Sequence, residues 1–286
     1  MSSFWQDLKL QFKMGDVTTK LIFWNVGIFL ISLPLFFEFR KGAFEFPSWI
    51  ALSADWQTAL FRPWTFVTYG FLHGGFWHLL MNMLVLNFIG RMFLTYFSSK
   101  QLFGLYMMAM VFSGIVYVIG STLLNDYGVI VGASGAVMAV LFATTIYGPN
   151  TEIRLWGIVT IRLWHFTAFF LLMDVMYLLV SNTGGHIAHL SGAFFGFLFI
   201  KLLQNGTDLS KIVTSIAGIF DRKPKARMKT VHRNYNRPQQ KTVSKVVMKD
   251  KTQQQIDEIL DKIGRSGYDS LSKEEKEFLG RAGKEQ

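Results

Sequence analysis

The sequence predicts an all-α, polytopic membrane protein, and three observations support that prediction. Apolar residues make up 51% of the 286 positions, charged residues make up only 17%, and long apolar stretches recur as far as Leu203. A typical soluble domain has about 25% charged residues, and a helix needs about 20 apolar residues to cross a bilayer. The composition therefore excludes a disordered chain and argues against a single soluble core.

Six apolar stretches are the predicted membrane spans. They are Leu21–Phe37, Phe76–Phe97, Leu102–Leu124, Ala133–Tyr147, Trp156–Val180 and Ile187–Leu203. The fourth stretch is shorter than a full crossing requires, which predicts a helix that begins below the membrane surface. Together they predict a six-transmembrane-helix bundle that occupies residues 1–204.

The segments on either side of the first span are rich in aromatic residues. Near the N-terminus four side chains share one helical face: Phe4, Trp5, Leu8 and Phe12. This pattern predicts a helix at the membrane interface, with a frayed terminus as the alternative. The loop Glu38–Leu72 is too long for a simple connector and contains several tryptophans, which favour the headgroup region. We expect this loop to be a partly embedded structure.

A basic segment follows the last span. Between Arg222 and Lys251 the chain has eleven basic residues and one acid, Asp250, so this segment accounts for the whole net charge of +10. It lacks apolar periodicity and contains two prolines, which predicts that residues 205–251 form a flexible linker attracted to anionic lipid headgroups. Nucleic acid is not expected as a partner, because only Tyr235 offers a ring for base stacking.

Residues 252–286 have a different pattern and predict a small cytoplasmic helical hairpin. Four side chains at helical spacing form one apolar face: Ile256, Ile259, Leu260 and Ile263. Gly264 and Gly267 are predicted to end this helix. Ser272 and Glu275 have the spacing of a capping box, which predicts the start of a second short helix.

The loops predict the orientation of the chain. Lysines and arginines are concentrated before the first span and after the second, fourth and sixth spans, which lie on one side if the six spans alternate. The positive-inside rule places that side, and with it both termini, in the cytoplasm. The N-terminal residues lack the pattern of a signal or transit peptide. We therefore expect the plasma (inner) membrane of a bacterium, with an organelle as the alternative.

Polar residues inside the predicted spans require an explanation, because they are costly in hydrocarbon. His78 and Asn82 share a face of the second span. The fourth span begins at a Gly132-Ala133-Ser134-Gly135 segment and continues as a stripe of small residues. The sixth span carries His189, and Gly192 and Gly196 lie on the same face. Small residues allow close helix contact, so the stripes predict that Ser134 and His189 meet.

This combination has a chemical interpretation and a structural one. A histidine within about 2.6–3.2 Å of a serine hydroxyl can accept its proton and make it nucleophilic. His78, Asn82 and the backbone N–H of Ser134 could then stabilise the oxyanion of acyl transfer. Taken singly, the glycine motif indicates close packing and the histidine an interhelical hydrogen bond. The three motifs together favour an active site.

With these residues the chain resembles the rhomboid family of intramembrane serine proteases over roughly Lys20 to Leu203. The matching residues are Arg62, His73-x4-His78-x3-Asn82, Gly132-Ala133-Ser134-Gly135 and His189-Leu-Ser-Gly192-x3-Gly196. Two positions depart from the pattern of many members. Phe61 stands where the family has a tryptophan before the arginine, and Met138 stands where it has a tyrosine whose ring packs on the histidine.

The resemblance implies roles for individual residues. Ser134 is the implied nucleophile and His189 the implied general base, forming a dyad without an acidic third member. His78, Asn82 and the Ser134 amide are the implied oxyanion hole. The resemblance also implies supporting roles for four further residues: Gly132, Gly135, Arg62 and His73.

Two other ionisable groups lie in or beside the spans. His186 is one turn from His189 and competes for the role of base, but only His189 has glycines three and seven residues further on its own face. We expect His186 to lie in water at the outer helix end. Asp174 could orient His189, but protonation or a hydrogen bond to a neighbouring helix is the favoured explanation.

The implied substrates are single-span membrane proteins with small residues at the cut, and no metal or other cofactor is expected. The chain has no cysteine, which excludes thiolate zinc sites and cysteine nucleophiles. His73, His78 and His189 lack the carboxylate pattern of a zinc protease.

The alternative function is a catalytically silent relative that binds or escorts transmembrane clients. A transporter is disfavoured because internal repeats are missing, and the oligomeric state is left open.

Overall fold

A computed structural model describes residues 3–125, 128–155, 157–220 and 245–282. The chain divides into two compact units, Met1–Lys223 and Pro224–Gln286. The helices of the first unit are α1 (Phe4–Met14), α2 (Val17–Phe36), α3 (Trp56–Phe61), α4 (Thr65–Thr68), a 3-10 helix (Tyr69–Phe71), α5 (Phe76–Tyr96), α6 (Ser99–Leu124), α7 (Ser134–Tyr147), α8 (Leu163–Tyr177), α9 (Thr183–Gln204) and α10 (Ser210–Phe220).

Six short strands form three antiparallel pairs. They are β1 (Phe37–Glu38) with β2 (Ala43–Phe44), β3 (Leu52–Ser53) with β4 (Val129–Ile130), and β5 (Glu152–Leu155) with β6 (Val159–Arg162). Helices therefore dominate the fold, and the prediction of an all-α bundle is confirmed.

Among the described residues, α2, α5, α6 and α9 are long and apolar enough to cross a membrane. Helices α7 and α8 are apolar but have only 14 and 15 residues. Each of the six predicted spans contains one of these helices, and the chain is an integral, multi-pass membrane protein. The short α7 agrees with the predicted short fourth span.

Helix α7 lies in the centre of the bundle, packed against α5, α6 and α9. Ten of its 14 residues are buried, and most of them are small or β-branched. Small side chains let neighbouring helices approach closely inside a membrane, so a helix built from them can pack on several sides. The central position of α7 thus follows from its small residues, and it brings Ser134, the first residue of the helix, into the bundle.

The predicted fifth span, Trp156–Val180, begins too early. Strand β6 (Val159–Arg162) lies in the first part of this stretch and pairs antiparallel with β5 (Glu152–Leu155), and the helix starts at Leu163. Alternation explains the difference, because Ile153 is buried and pairs with the half-buried Ile161, while the neighbouring pair Arg154 and Thr160 is exposed. Gly157, with φ +72°, supplies the left-handed conformation of the turn.

The long loop Glu38–Leu72 is ordered, as expected. It contains two strand pairings, α3, α4 and the 3-10 helix, and it buries Leu52 and Tyr69. Its tryptophans, by contrast, remain about half exposed, which suits side chains at a headgroup region. The predicted N-terminal helix is also present as α1, with Phe4 and Trp5 each 69% exposed.

The predicted linker 205–251 differs from the structure at both ends, because one helix lies at its beginning and the helix that follows the linker already starts at Lys245. Helix α10 occupies Ser210–Phe220 and packs against α6, where Gly104 faces Ser210 closely. Asp208 starts this helix by accepting a hydrogen bond from the Ser210 N–H at 2.9 Å. Residues 221–244, which hold most of the Arg222–Lys251 basic segment, lie outside the described residues.

The second unit contains the predicted helical hairpin. Its elements are α11 (Lys245–Ser266), a 3-10 helix (Tyr268–Ser270) and α12 (Lys273–Ala282). The chain turns at Gly267, with φ +78°, and Gly264 does not end the helix. The capping box is formed, with Ser272 and Glu275 exchanging hydrogen bonds. A further hydrogen bond from the Lys262 ammonium, together with the cap, lowers the pKa of Glu275.

Candidate active site

The crossing of α7 and α9 is a contact between backbones. A Cβ added to Gly192 would overlap the carbonyl oxygen of Gly135, and one added to Gly196 would overlap that of Ala139. On the other side, Gly135 lies against Ser113 of α6, where a Cβ would approach the hydroxyl to 2.9 Å. The two small-residue stripes meet as predicted, and glycine is required at each close approach.

Gly132 connects the serine segment to the second span. Its φ of +134° is a conformation that other residues rarely adopt, and its N–H donates to the Tyr69 carbonyl at 2.9 Å. A Cβ at Gly132 would lie 2.9 Å from His78 Nε2 and 3.6 Å from Ser134 Oγ. The missing side chain therefore lets the His78 imidazole approach the serine hydroxyl.

Ser134 is the first residue of α7, after Ala133 as N-cap. Backbone N–H groups in the first turn of a helix have no intrahelical acceptor and carry the positive end of the helix dipole. Ala133 offers no side-chain cap to these groups. The amide of Ser134 is therefore a donor suited to an anionic oxygen next to the hydroxyl.

Two cavities share three lining residues: His78, Ser134 and His189. The larger cavity, about 550 Å³, is otherwise lined by Tyr117 and by segments 128–131 and 182–185. The smaller, about 230 Å³, is lined mainly by apolar side chains of α5, α7 and α8, and also by Asn82 and Asp174. The predicted nucleophile, base and oxyanion histidine thus lie where a polar and an apolar space come together.

Among the described residues, no hydrogen bond joins Ser134 Oγ to His189. The His189 ring is held from its other nitrogen, since Nδ1 lies 2.7 Å from Asp174 Oδ1. Hydrogen bonds between a nucleophile and its base are often long in unliganded active sites. The two groups line the same cavities with no hydrogen bond formed between them.

Asn82 is buried and donates one amide N–H to the His78 carbonyl at 2.8 Å. A side-chain amide has two N–H groups, so its second donor remains for the apolar cavity that Asn82 lines. His73 is fully buried, and its ring packs edge-on to that of His78 with centroids 5.2 Å apart. It supports the His78 ring and lines neither cavity.

Arg62 lies apart from both cavities. It follows α3, and its Nη1 donates to Ser48 Oγ at 2.6 Å. The adjoining segment is tied to it as well, because Thr65 donates to the Arg62 carbonyl. In this structure Arg62 thus organises the first loop.

The expectation for His186 is wrong. Its side chain is only 16% exposed, and its Nδ1 lies 2.7 Å from Asp174 Oδ1, the oxygen that also faces His189. The expected hydrogen bond from Asp174 to a neighbouring helix is present, but its partners include the predicted base. From the sequence, an orienting role for Asp174 toward His189 is the less favoured explanation, whereas the structure places its carboxylate 2.7 Å from the His189 imidazole. An ionisable residue in a span needs a partner, and that requirement was the available signal.

Comparisons with known proteins match the two units separately. Residues 60–205 match the family model of the Rhomboid domain. Residues 246–285 match the Family of unknown function (DUF6576). The first match includes every predicted site residue, and the second covers the helical hairpin.

Two relatives have sequences similar to the membrane unit. The presenilin-associated rhomboid-like protein, mitochondrial, of Homo sapiens is 30% identical over 139 residues, which are 46% of this chain and 35% of the relative. The rhomboid protease GlpG of Photorhabdus laumondii is 28% identical over 200 residues, 68% of this chain and 63% of the relative. The chain thus spans about a third of the first relative's length and less than two thirds of the second's.

Proposed function

Because this chain belongs to the rhomboid family, we propose that it is an intramembrane serine endopeptidase that cleaves transmembrane segments of membrane proteins. The observation that carries the proposal is the set of three residues common to both cavities: His78, Ser134 and His189. Cleavage of a peptide in a membrane requires a nucleophile that water and a peptide segment can both reach. The junction of a polar and an apolar space meets that requirement.

In the first half of the reaction Ser134 Oγ attacks the carbonyl carbon of the scissile bond while its proton passes to His189 Nε2. The π electrons of the carbonyl move to its oxygen. Three donors stabilise the oxyanion: the Ser134 N–H, His78 and the second N–H of Asn82. The intermediate then collapses, the C–N bond breaks, and the imidazolium gives its proton to the leaving nitrogen.

In the second half water replaces the serine as nucleophile. His189 accepts a proton from the water as its oxygen attacks the acyl-enzyme ester, and the proton returns to Ser134 Oγ when the C–O bond to the serine breaks. The larger cavity supplies this water, and the apolar cavity holds a side chain beside the cut. Substrate binding brings Ser134 Oγ and His189 Nε2 to about 2.6–3.2 Å, the distance that proton transfer requires.

The setting of the reaction is part of the proposal. Substrates are single-span membrane proteins, whose helices must unwind before the backbone is accessible. Both termini lie in the cytoplasm, and the membrane is the inner membrane of a bacterium. The basic segment Arg222–Lys251, most of which lies outside the described residues, binds anionic lipid headgroups.

The test is active-site labelling of the purified protein in detergent with a fluorophosphonate, followed by peptide mapping. We expect the label on Ser134, and we expect Ser134→Ala to abolish both labelling and cleavage of a transmembrane substrate. Ser32→Ala is the matched control, because Ser32 is a buried helix serine that bonds only within its own helix. If the Ser134→Ala protein still cleaves the substrate, Ser134 is not the nucleophile. That result would favour a catalytically silent, client-binding relative, with the cleavage coming from another source in the preparation.

A further inference from the structure

Asp174 is placed between two imidazoles at the start of α9. Its carboxylate is 5% exposed, and the same oxygen, Oδ1, lies 2.7 Å from the Nδ1 atoms of His186 and His189. The two imidazole rings are nearly perpendicular, at 83°, with centroids 5.9 Å apart. Asp174 belongs to α8, so these bonds cross from one helix to another.

The two contacts indicate where the histidine protons lie when Asp174 is ionised. An ionised carboxylate can only accept hydrogen bonds, so both contacts then require a proton on Nδ1. A neutral imidazole with its proton on Nδ1 has an unprotonated Nε2. For His189 the unprotonated nitrogen is then the one directed away from Asp174, which is the state that a general base needs.

We propose that Asp174 is a positioning residue for His189, holding it in the Nδ1-protonated tautomer with Nε2 free to accept the Ser134 proton, while His186 contacts the same carboxylate oxygen and helps to hold it in place. The inference rests on the proposed function and adds an acidic member to the expected dyad. Asp174 touches no reacting atom in this scheme. It acts through the orientation and tautomer of the imidazole.

The surroundings of His189 explain why such a residue is needed. Met138, Asp174 and His189 line the same apolar cavity. The thioether of Met138 offers no hydrogen-bond donor and at most a weak acceptor, so α7 supplies little that could select one tautomer. The side chains of α8 around Asp174 are largely exposed apolar groups, among which an uncompensated carboxylate is costly.

A cation site is the competing use of the same three residues. Their ligand atoms lie within 4.8 Å of one another. Both Nδ1 atoms, however, already face one carboxylate oxygen at hydrogen-bond distance, which is the pairing expected of donors and an acceptor. The cation alternative therefore becomes an outcome of the test.

The experiment compares Asp174→Ala, Asp174→Asn and Asp174→Glu in the full chain in detergent. We expect Asp174→Ala to lower kcat roughly a hundredfold, the cost of a misplaced catalytic group, with KM little changed. Fluorophosphonate labelling of Ser134 should slow in parallel, and Asp174→Glu should restore part of the rate. Glu152→Gln removes an exposed carboxylate outside both cavities and should behave as wild type.

A second readout separates positioning from a merely structural role. Nitrogen-15 NMR of labelled histidine, assigned with His189→Asn, should show His189 of the wild type protonated on Nδ1 and the Asp174→Asn variant with a changed tautomer ratio. Wild-type kcat in Asp174→Ala, or an Nε2-protonated His189 in the wild type, would overturn the inference. Activity removed by EDTA and restored by Zn²⁺ would overturn it in favour of a cation site. In all these cases Ser134→Ala should remain inactive. Activity in Ser134→Ala would instead contradict the proposed function itself.

Discussion

Helices α7 and α8 both contact α9, but they are attached to the bundle in different ways. Ten of the 14 residues of α7 are buried, against three of the 15 in α8. At the α7–α9 crossing, glycines bring backbone against backbone. The buried residues of α8 are Leu163 and two polar residues, Thr167 and Asp174, each of which hydrogen-bonds to another helix.

The difference indicates which helices are held in one arrangement and which helix can shift. Close backbone packing has a single arrangement, because any shift either opens a void or causes overlap. A few polar bonds on an otherwise exposed helix can break and form again at modest cost. Ser134 and His189, the proposed nucleophile and base, thus sit on the rigid pair, α7 and α9, while Asp174, the proposed orienting group, comes from the less tightly packed helix α8.

The comparison predicts which measured quantity each substitution changes. The largest effect is expected for Gly192→Leu, because any side chain there overlaps the Gly135 carbonyl. Overpacking costs about 1–3 kcal/mol or more, so both the free energy of unfolding and cleavage should fall. Unfolding by SDS titration and a cleavage assay measure the two quantities.

Gly27→Leu is the matched control for Gly192→Leu. Gly27 is a helical glycine of α2 whose Cβ would meet nothing within 4 Å. It should leave stability and cleavage near their wild-type values. If Gly192→Leu behaves in the same way, the α7–α9 crossing is not the rigid pair described above.

A second substitution sharpens the comparison through α5, which carries the proposed oxyanion donors His78 and Asn82. Asn82→Ala should lower kcat roughly a hundredfold, the cost of one lost oxyanion donor, with stability little changed. The amide bonds only to a carbonyl of its own helix, so its removal leaves the packing between helices intact. Asn87→Ala, on the same helix and outside both cavities, is the control. Equal rates in the two variants would exclude Asn82 from the oxyanion hole.

The smallest effect is expected at the contact between α7 and α8. The hydroxyls of Thr145 and Thr167 lie 2.6 Å apart. A double-mutant cycle with Thr145→Val and Thr167→Val should give a coupling of about 0.6 kcal/mol, with cleavage retained. Thr144 bonds only to Val140 in its own helix, so a cycle of Thr144→Val with Thr167→Val should show no coupling. A coupling energy as large as the loss of unfolding free energy in Gly192→Leu would contradict the inference that α8 is less tightly packed than α7.

Much of the fold could be predicted from composition and periodicity. Five of the six spans coincide with observed helices to within a few residues, because apolar runs of that length have few other stable arrangements in a bilayer. The fifth span was misplaced at its start, where alternating β-branched residues raise hydropathy as much as a helix does. The same mean hydropathy is compatible with both structures, and only the pairing with β5 distinguishes them.

Part of the site could also be predicted from periodicity. Ser134, His189 and the glycine stripes follow helical spacing, so their faces could be assigned along each helix. The role of Asp174 could not be assigned, because its distance from His189 depends on the rotation and depth of α8 against α9. Periodicity within one helix carries no information on the rotation of the next.

By itself, the sequence determined the membrane class of this protein, the existence of its helices and the residues proposed for acyl transfer, because those properties depend on side-chain chemistry and local spacing. The tertiary structure alone decided that His78 approaches Ser134 across Gly132, that one carboxylate oxygen faces two imidazoles, and that three residues line both cavities. Those relations join helices far apart in the chain, and their distances are set by how the helices pack.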